Sequence, residues 1–175
     1  KNPEVGGTWF DNRYPGCGVD TPNHFYSYSW APNPAWKHYF SPRDELYEYV
    51  QRCATDFGLR DRIRLSTEFL GAIWNDDAQR WSVRLGHEDG EETVTGSALV
   101  CATGHFNQPL DVRFEGADEF AGDILHTAKW PEGTDLAGKR VGIIGTGASS
   151  MQIVPTIAGE VAAALPTGGH TKLLG

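Results

Sequence analysis

The stretch Lys139-Arg140-Val141-Gly142-Ile143-Ile144-Gly145-Thr146-Gly147-Ala148-Ser149-Ser150 decides the fold. A basic pair leads into the apolar run Val141 to Ile144, which reads as a buried strand. A G-x-G turn follows, then a helical pattern through Met151, Val154, Ile157, Ala158 and Val161, which Pro155 should bend or delay. Strand, glycine turn and helix N-terminus together make a dinucleotide pyrophosphate site. Gly145 permits the tight turn, Gly147 lets the backbone approach the phosphates, and the helix N–H groups favour the anion. Ser150 holds the third motif position and is small enough for close helix–strand packing. The alternative is a glycine-rich βα turn with no ligand. About 20 residues further on, Leu165-Pro166-Thr167-Gly168-Gly169-His170 offers neither the acid that would read an NAD ribose nor a second strand. Lys172 reads as part of a solvated tail rather than as a partner for a 2′-phosphate.

Upstream, Ala98-Leu99-Val100-Cys101-Ala102 is a short apolar run ending at Thr103-Gly104. A buried strand that meets a glycine turn is where open α/β sheets place ligands. Between Arg62 and Val100 the period changes to two. Ile63, Leu65 and Thr67 predict a short strand. Trp81, Val83 and Leu85, with turn clusters at Asn75-Asp76-Asp77 and His87 to Gly90, predict an antiparallel β-meander over about residues 69–97. Before it, Leu46, Tyr49, Val50, Cys53 and Phe57 recur at helical spacing. Ser41 fits the N-cap, Pro42 the first turn and Gly58 the stop. The first 40 residues are aromatic and broken by prolines, either as loop and core aromatics or as a cofactor cradle. Residues 105 to 138 read as a linker. The fold class expected is α/β, with a small antiparallel meander.

The chain has 175 residues, enough for one ordinary domain, and Lys1 is not a natural start. Fifteen basic against 23 acidic residues give a net charge of −8, which argues against a nucleic-acid partner. No apolar run is long enough for a membrane segment, and no signal-peptide pattern opens the chain. Cys17, Cys53 and Cys101 are an odd, widely spaced set. They fit neither a disulfide framework nor a zinc site and suggest a reducing cytoplasm. No residue set has metal-ligand spacing, and neither Cys17 nor Cys101 has a local histidine that would make it a catalytic thiol.

The string Phe120-Ala121-Gly122-Asp123-Ile124-Leu125-His126-Thr127-Ala128-Lys129-Trp130-Pro131 resembles the F-x-G-x-x-x-H-x-x-x-W-P fingerprint of type I Baeyer–Villiger monooxygenases. Related N- and S-oxygenating flavin monooxygenases share its first part but usually carry another aromatic at Trp130 and lack Pro131. Residues 6–30 are similar to the family's FAD-cradling stretch, nearest the branch acting on aromatic ketones such as 4-hydroxyacetophenone. Ala102-Thr103-Gly104 resembles its A-T-G motif, and residues 145–155 resemble its NADPH-domain turn. The resemblance implies two Rossmann-like dinucleotide-binding domains. Residues 1–120 would be the later part of an FAD domain, 121–138 a linker, 139–165 the start of an NADPH domain, and 166–175 an atypical tail.

It further implies that NADPH reduces FAD and that O2 forms a peroxyflavin, which oxidises a ketone to an ester or lactone. Carried over residue by residue, Gly6, Gly7, Thr8, Trp9, Tyr26 and Gly104 would contact FAD. Asp20 would tune the flavin ring and help hold a catalytic arginine. Gly145, Thr146, Gly147, Ala148, Ser149 and Gln152 would line NADPH, while His126 and Trp130 would couple the two domains. Under this resemblance the aromatic segment becomes a cofactor cradle. The family's first G-x-G-x-x-G should precede Lys1, and its catalytic arginine should follow residue 175. Residues 164–175 do not resemble the strand and basic pair expected there. The alternatives are an amine or sulfide oxygenase and, for the 175 residues alone, a silent piece that binds nucleotide weakly.

Overall fold

The computed structural model describes residues 1–110, 114–167 and 172–174, with Thr167 and the last three described in backbone only. The tail expectation for residues 168–171 and 175 therefore lies outside the described residues, as does the side chain of Lys172.

Near the start, helix α1 (Thr8–Asp11) makes a single turn, with Gly7 as N-cap. Helix α2 (Arg43–Asp56) buries Leu46, Tyr49, Cys53 and Ala54, the face its spacing predicts. Val50 is half-buried and Phe57 is exposed. Gly58, at φ 61°, ends the helix in the left-handed conformation that glycine tolerates. The helix start differs from expectation: Pro42 is the N-cap and Ser41 is not. Ser41 is held in an extended segment by Val19 N–H, which donates to its carbonyl at 3.0 Å, beside a bridge between Gly18 and Pro42. Its hydroxyl is buried and donates to Glu45 at 2.7 Å instead of capping α2.

Strands β1 (Glu68–Asn75), β2 (Arg80–His87) and β3 (Gly90–Gly96) form an antiparallel sheet in chain order. This is the expected meander. Trp74 faces Trp81 across the first pair, with ring centroids 5.5 Å apart. The strand expected over Ile63, Leu65 and Thr67 is absent. Arg60–Arg62 form a 3-10 turn, and Ser66, at φ 49°, breaks the extended run. The strand expected at Ala98–Ala102 is also absent, and Val100 is 83% exposed. Apolar composition makes a strand only where another strand satisfies its backbone, and among the described residues no strand pairs with this segment.

The second sheet contains β4 (Ile124–Leu125), β5 (Arg140–Ile144), β6 (Ala163–Thr167) and β7 (Lys172–Leu174), in the order β4-β7-β5-β6. Helix α3 (Ala148–Ile157) connects the parallel strands β5 and β6. Strand β6 corrects the expectation that no strand follows α3. Pro166 hides it in the sequence, but β6 lies at the sheet edge, where a missing N–H can be tolerated. Pro155 falls in the last turn of α3, and the helix stops at Ile157 rather than reaching Val161.

Tyr14 and Cys17 share one core with Leu136, Val141, Ile143, Ile153 and Ile157, and Trp9, Leu125 and Trp130 pack against it. Residues from both ends of the chain thus interlock around α3. Truncating Ile153, which is fully buried, to alanine should cost about 2–5 kcal/mol by opening a cavity. Chemical denaturation checks this, and an unchanged midpoint would place Ile153 outside the core.

Candidate cofactor site

A cleft of about 640 Å³ opens between α1, the aromatic segment, α2 and the Ala102–Asn107 loop. Gly6, Gly7, Thr8, Trp9, Tyr26 and Gly104, residues dispersed over a hundred positions of sequence, all line it. Gly6 lies at φ 141°, where an added Cβ would come within 2.8 Å of the Tyr47 ring. Gly7 (φ 54°) and Gly104 (φ 76°) have nothing within 4 Å of such a Cβ. The backbone therefore presents open, left-handed glycines to the cleft, leaving room for the close approach of a ligand. Trp9 meets Tyr26 edge to face, with centroids 5.7 Å apart. Burial pushes the Tyr26 phenol up, so its hydroxyl stays protonated at neutral pH.

The sequence did not single out Leu46, Tyr49 and Val50 of α2, which floor the same cleft. Their helical spacing indicated only a buried face. The Tyr49 hydroxyl accepts from Tyr28 N–H at 2.8 Å and donates to the Ala31 carbonyl at 2.8 Å, fixing the aromatic segment over α2. Asp20 is exposed and outside the cleft lining, although its charge reaches Tyr14 and Tyr26.

The base of the aromatic segment is tied by Glu45. Its carboxylate accepts from Lys37 N–H at 2.7 Å and from the Ser41 hydroxyl at 2.7 Å, and lies 2.9 Å from His38 Nδ1. Asn23 donates to the His38 carbonyl at 2.7 Å and also bonds Ser41. Partial burial pushes the Glu45 carboxyl up, but the Lys37 amide, Ser41 and His38 outweigh it and hold it below the ordinary carboxylate range.

At the second glycine turn, Gly145 is buried at φ 125°, and Thr146, Gly147 and Ala148 are exposed ahead of α3. Nothing lies within 4 Å of a Cβ built on Gly147, and Ser150 is buried, as the packing role of the third motif position requires. Ser149 is half-buried. Gln152 points elsewhere. Its Oε1 accepts from the Tyr14 hydroxyl at 2.6 Å, and its Nε2 donates to the Gly18 carbonyl at 2.8 Å.

The fingerprint residues divide. His126 caps a 3-10 turn at Thr127–Lys129, its Nδ1 accepting from Ala128 N–H at 3.1 Å. Trp130 packs against the shared core, and with Pro131 it faces Arg13, Tyr14 and Cys17 across a smaller cleft of about 440 Å³. Phe120 and Gly122 are exposed. Burial pushes Cys17 up to about 11, which leaves its thiol protonated and inert. No group of three potential metal ligands occurs among the described residues.

The sequence model described as flavin-binding monooxygenase-like matches residues 18–167. The chain belongs to that family. A Baeyer–Villiger monooxygenase of Streptomyces coelicolor is 43% identical over 157 residues, covering 90% of this chain and 30% of the relative. Cyclohexanone monooxygenase bound to ε-caprolactone superposes with a TM-score of 0.84 at 35% identity, covering 94% of this chain and 32% of that one. The enzyme designated OTEMO, in complex with FAD and NADP, superposes at 0.82 with 35% identity, covering 94% and 32%. The chain thus spans about a third of the length of these proteins. Its α/β architecture with an antiparallel three-stranded sheet is that of the Baeyer–Villiger structures.

Two predictions test the site. His126→Ala should destabilise the protein by about 1 kcal/mol through loss of a cap, while His126→Asn keeps an acceptor for Ala128 N–H and should recover most of it. Equal melting temperatures for the two variants would remove the capping role. Because the folded pKa of Glu45 lies below its unfolded value of 4.5, its contribution is present above about pH 4.5 and lost as pH falls through the folded value. The near-ultraviolet signal of the aromatic segment should therefore fade on acidification. Glu45→Gln should reduce that signal at neutral pH and flatten its acid dependence, as pH-titrated circular dichroism would show.

Proposed function

We propose that this chain is part of an FAD- and NADPH-dependent Baeyer–Villiger monooxygenase that inserts one oxygen atom of O2 into a small-molecule ketone. The product is an ester or lactone, and the likeness of residues 6–30 to the branch acting on aromatic ketones makes an aromatic ketone the first substrate to try. The observation that carries this reading is the convergence of Gly6, Gly7, Thr8, Trp9, Tyr26 and Gly104 on one glycine-edged, aromatic-walled cleft. The Trp130 end of the fingerprint, packed against the core that Tyr14 and Cys17 share, supports it. The residues present fit both cofactors. The open glycines at 7 and 104 leave space for FAD beside Trp9 and Tyr26. The exposed Thr146, Gly147 and Ala148 at the start of α3 would hold the NADPH pyrophosphate through backbone N–H groups.

When bound, the flavin supplies the reduced carrier at which O2 is activated. The chain's own part is positional. Trp9 and Tyr26 exclude water from one wall of the cleft, and α2 with Tyr49 holds that wall. Asp20 supplies negative charge near Tyr26. His126 and Trp130 fix the turn that carries the chain from the flavin side to the second sheet. The proposed compartment is the cytoplasm, in keeping with the free Cys17, Cys53 and Cys101. No helix among the described residues is long and apolar enough to cross a membrane.

The complete polypeptide should purify with a flavin absorbance band and consume NADPH in a ketone-dependent manner. Product analysis should find the ester or lactone. Peroxide as the sole product with every ketone tried would sink the proposal, and oxidised amine without any ester would move the protein to the N-oxygenating branch. Among the described residues no strand pairs with Ala98–Ala102 and Val100 is bare, so the 175-residue stretch alone should hold FAD weakly and purify colourless.

A further inference from the structure

Gln152 lies on the helix that follows the second glycine turn, yet its amide is used on both ends by the flavin-side segment. Tyr14 Oη donates to Oε1 at 2.6 Å and Nε2 donates to the Gly18 carbonyl at 2.8 Å. The same phenol interacts with the Ser149 hydroxyl, one turn nearer the helix start. Between the two anchored points the segment lies directly on α3. A Cβ on Gly16 would sit 2.5 Å from the Gln152 carbonyl oxygen, and Gly16 is at φ 77°, so only glycine permits this approach. Tyr14 and Cys17 are buried against Ile153 and Ile157 on either side of it.

Two residues beyond Gly18 stands Asp20, and α1 with the Trp9–Tyr26 pair lies just before and after this segment. The amide of Gln152 is therefore the polar link between the flavin-facing cleft and the turn presented to the pyrophosphate. Its two hydrogen-bonding ends are both satisfied within the protein.

We propose that Tyr14 and Gln152 are positioning residues that clamp the second nucleotide turn against the flavin-side segment, and that Gln152 acts through this clamp rather than as a ligand of NADPH. The proposal rests on the two-cofactor reading above. A clamp of this kind sets the separation and angle of two bound nucleotides without touching either. Small errors in such a geometry lower the rate of transfer between them more than they lower affinity.

The test uses the complete polypeptide with Tyr14→Phe, Gln152→Met and the double variant. Tyr14→Phe keeps the ring in the core, so it remains informative if Gln152→Met folds poorly. NADP+ affinity is measured by calorimetry, and flavin reduction by saturating NADPH by stopped flow. Each single variant should lower the saturating reduction rate by about tenfold or more while NADP+ affinity stays within about threefold, a split that loss of a ligand would not give. The double variant should be no slower than the worse single one, because both changes break one linkage. Saturating rates within about threefold of the parent in both single variants, or multiplicative losses in the double, would overturn the clamp. Weakened NADP+ binding in Gln152→Met with an unchanged saturating rate would make Gln152 a ligand and overturn it as well. If the parent protein carries no flavin, the two-cofactor reading itself fails. Non-additive losses of melting temperature across the three variants then support the clamp, and additive losses or weakened NADP+ binding in Gln152→Met overturn it.

Discussion

The close approach of the Tyr14–Gly18 segment to α3 is the constraint on which the rest of the structure depends. It requires Gly16, because a side chain there would enter the backbone of the helix. It also requires a protonated phenol at Tyr14, because Gln152 offers that ring an acceptor. Once the segment is seated, Tyr14 and Cys17 become part of the core built by Val141, Ile143, Ile153 and Ile157. The segment before it turns through Gly6 and Gly7 into α1, and the segment after it reaches the Gly18–Pro42 bridge that starts α2. Both walls of the larger cleft are thereby referred to the helix that begins at the second glycine turn.

Features whose information is local could be read from the sequence, and features that need a distant partner could not. The strand at Arg140–Ile144, the turn at Gly145–Gly147 and helix α3 follow from a run of apolar residues, two glycines and helical spacing within twenty residues. The meander follows likewise from alternation and turn clusters. The Ala98–Ala102 run has strand composition but no partner among the described strands, and it stays irregular, with only Leu99 half-buried. Strand β6 is the converse case. Its Pro166 argues against a strand locally, but pairing with β5 along one side and an open edge on the other make it one. For the candidate site, the glycines and aromatics could be picked out of the sequence through the family resemblance, and the structure brings them to one cleft. The floor from α2 and the double engagement of Gln152 depend on contacts spanning up to 138 residues, which no local pattern records.

The fingerprint has a physical content that its letters do not reveal. His126 uses Nδ1 to hold a backbone amide two residues on, which closes the 3-10 turn and aims Trp130 at the shared core. Trp130 and Pro131 then lie opposite Arg13, Tyr14 and Cys17. The motif thus contains a turn that returns the chain to the Tyr14–Gly18 segment and to the core this segment shares with α3. Arg13 and Glu132, 3.7 Å apart and exposed, add little to this, since exposed ion pairs contribute at most about 1 kcal/mol. The packing of the Trp130 indole carries the contact.

The two polar assemblies flanking the cleft respond to pH in opposite directions, and this separates their roles. Burial raises Tyr14 to about 12 from 10, so its contribution is complete below about pH 10 and is lost only as pH rises toward about 12. Burial likewise keeps the Cys17 thiol neutral beside it. The contact between the Tyr14–Gly18 segment and α3 therefore carries no titrating charge near neutral pH. Glu45 is the reverse case: a depressed carboxylate that organises Lys37, His38 and Ser41 at the root of the aromatic segment and lets go only in acid. Acidification below about pH 4.5 would therefore loosen the base of the aromatic segment while leaving the Tyr14–Gln152 contact intact. The aromatic wall and the seat on α3 thus answer to different groups, Glu45 at the root of one and Tyr14 at the other, and are lost at opposite ends of the pH scale.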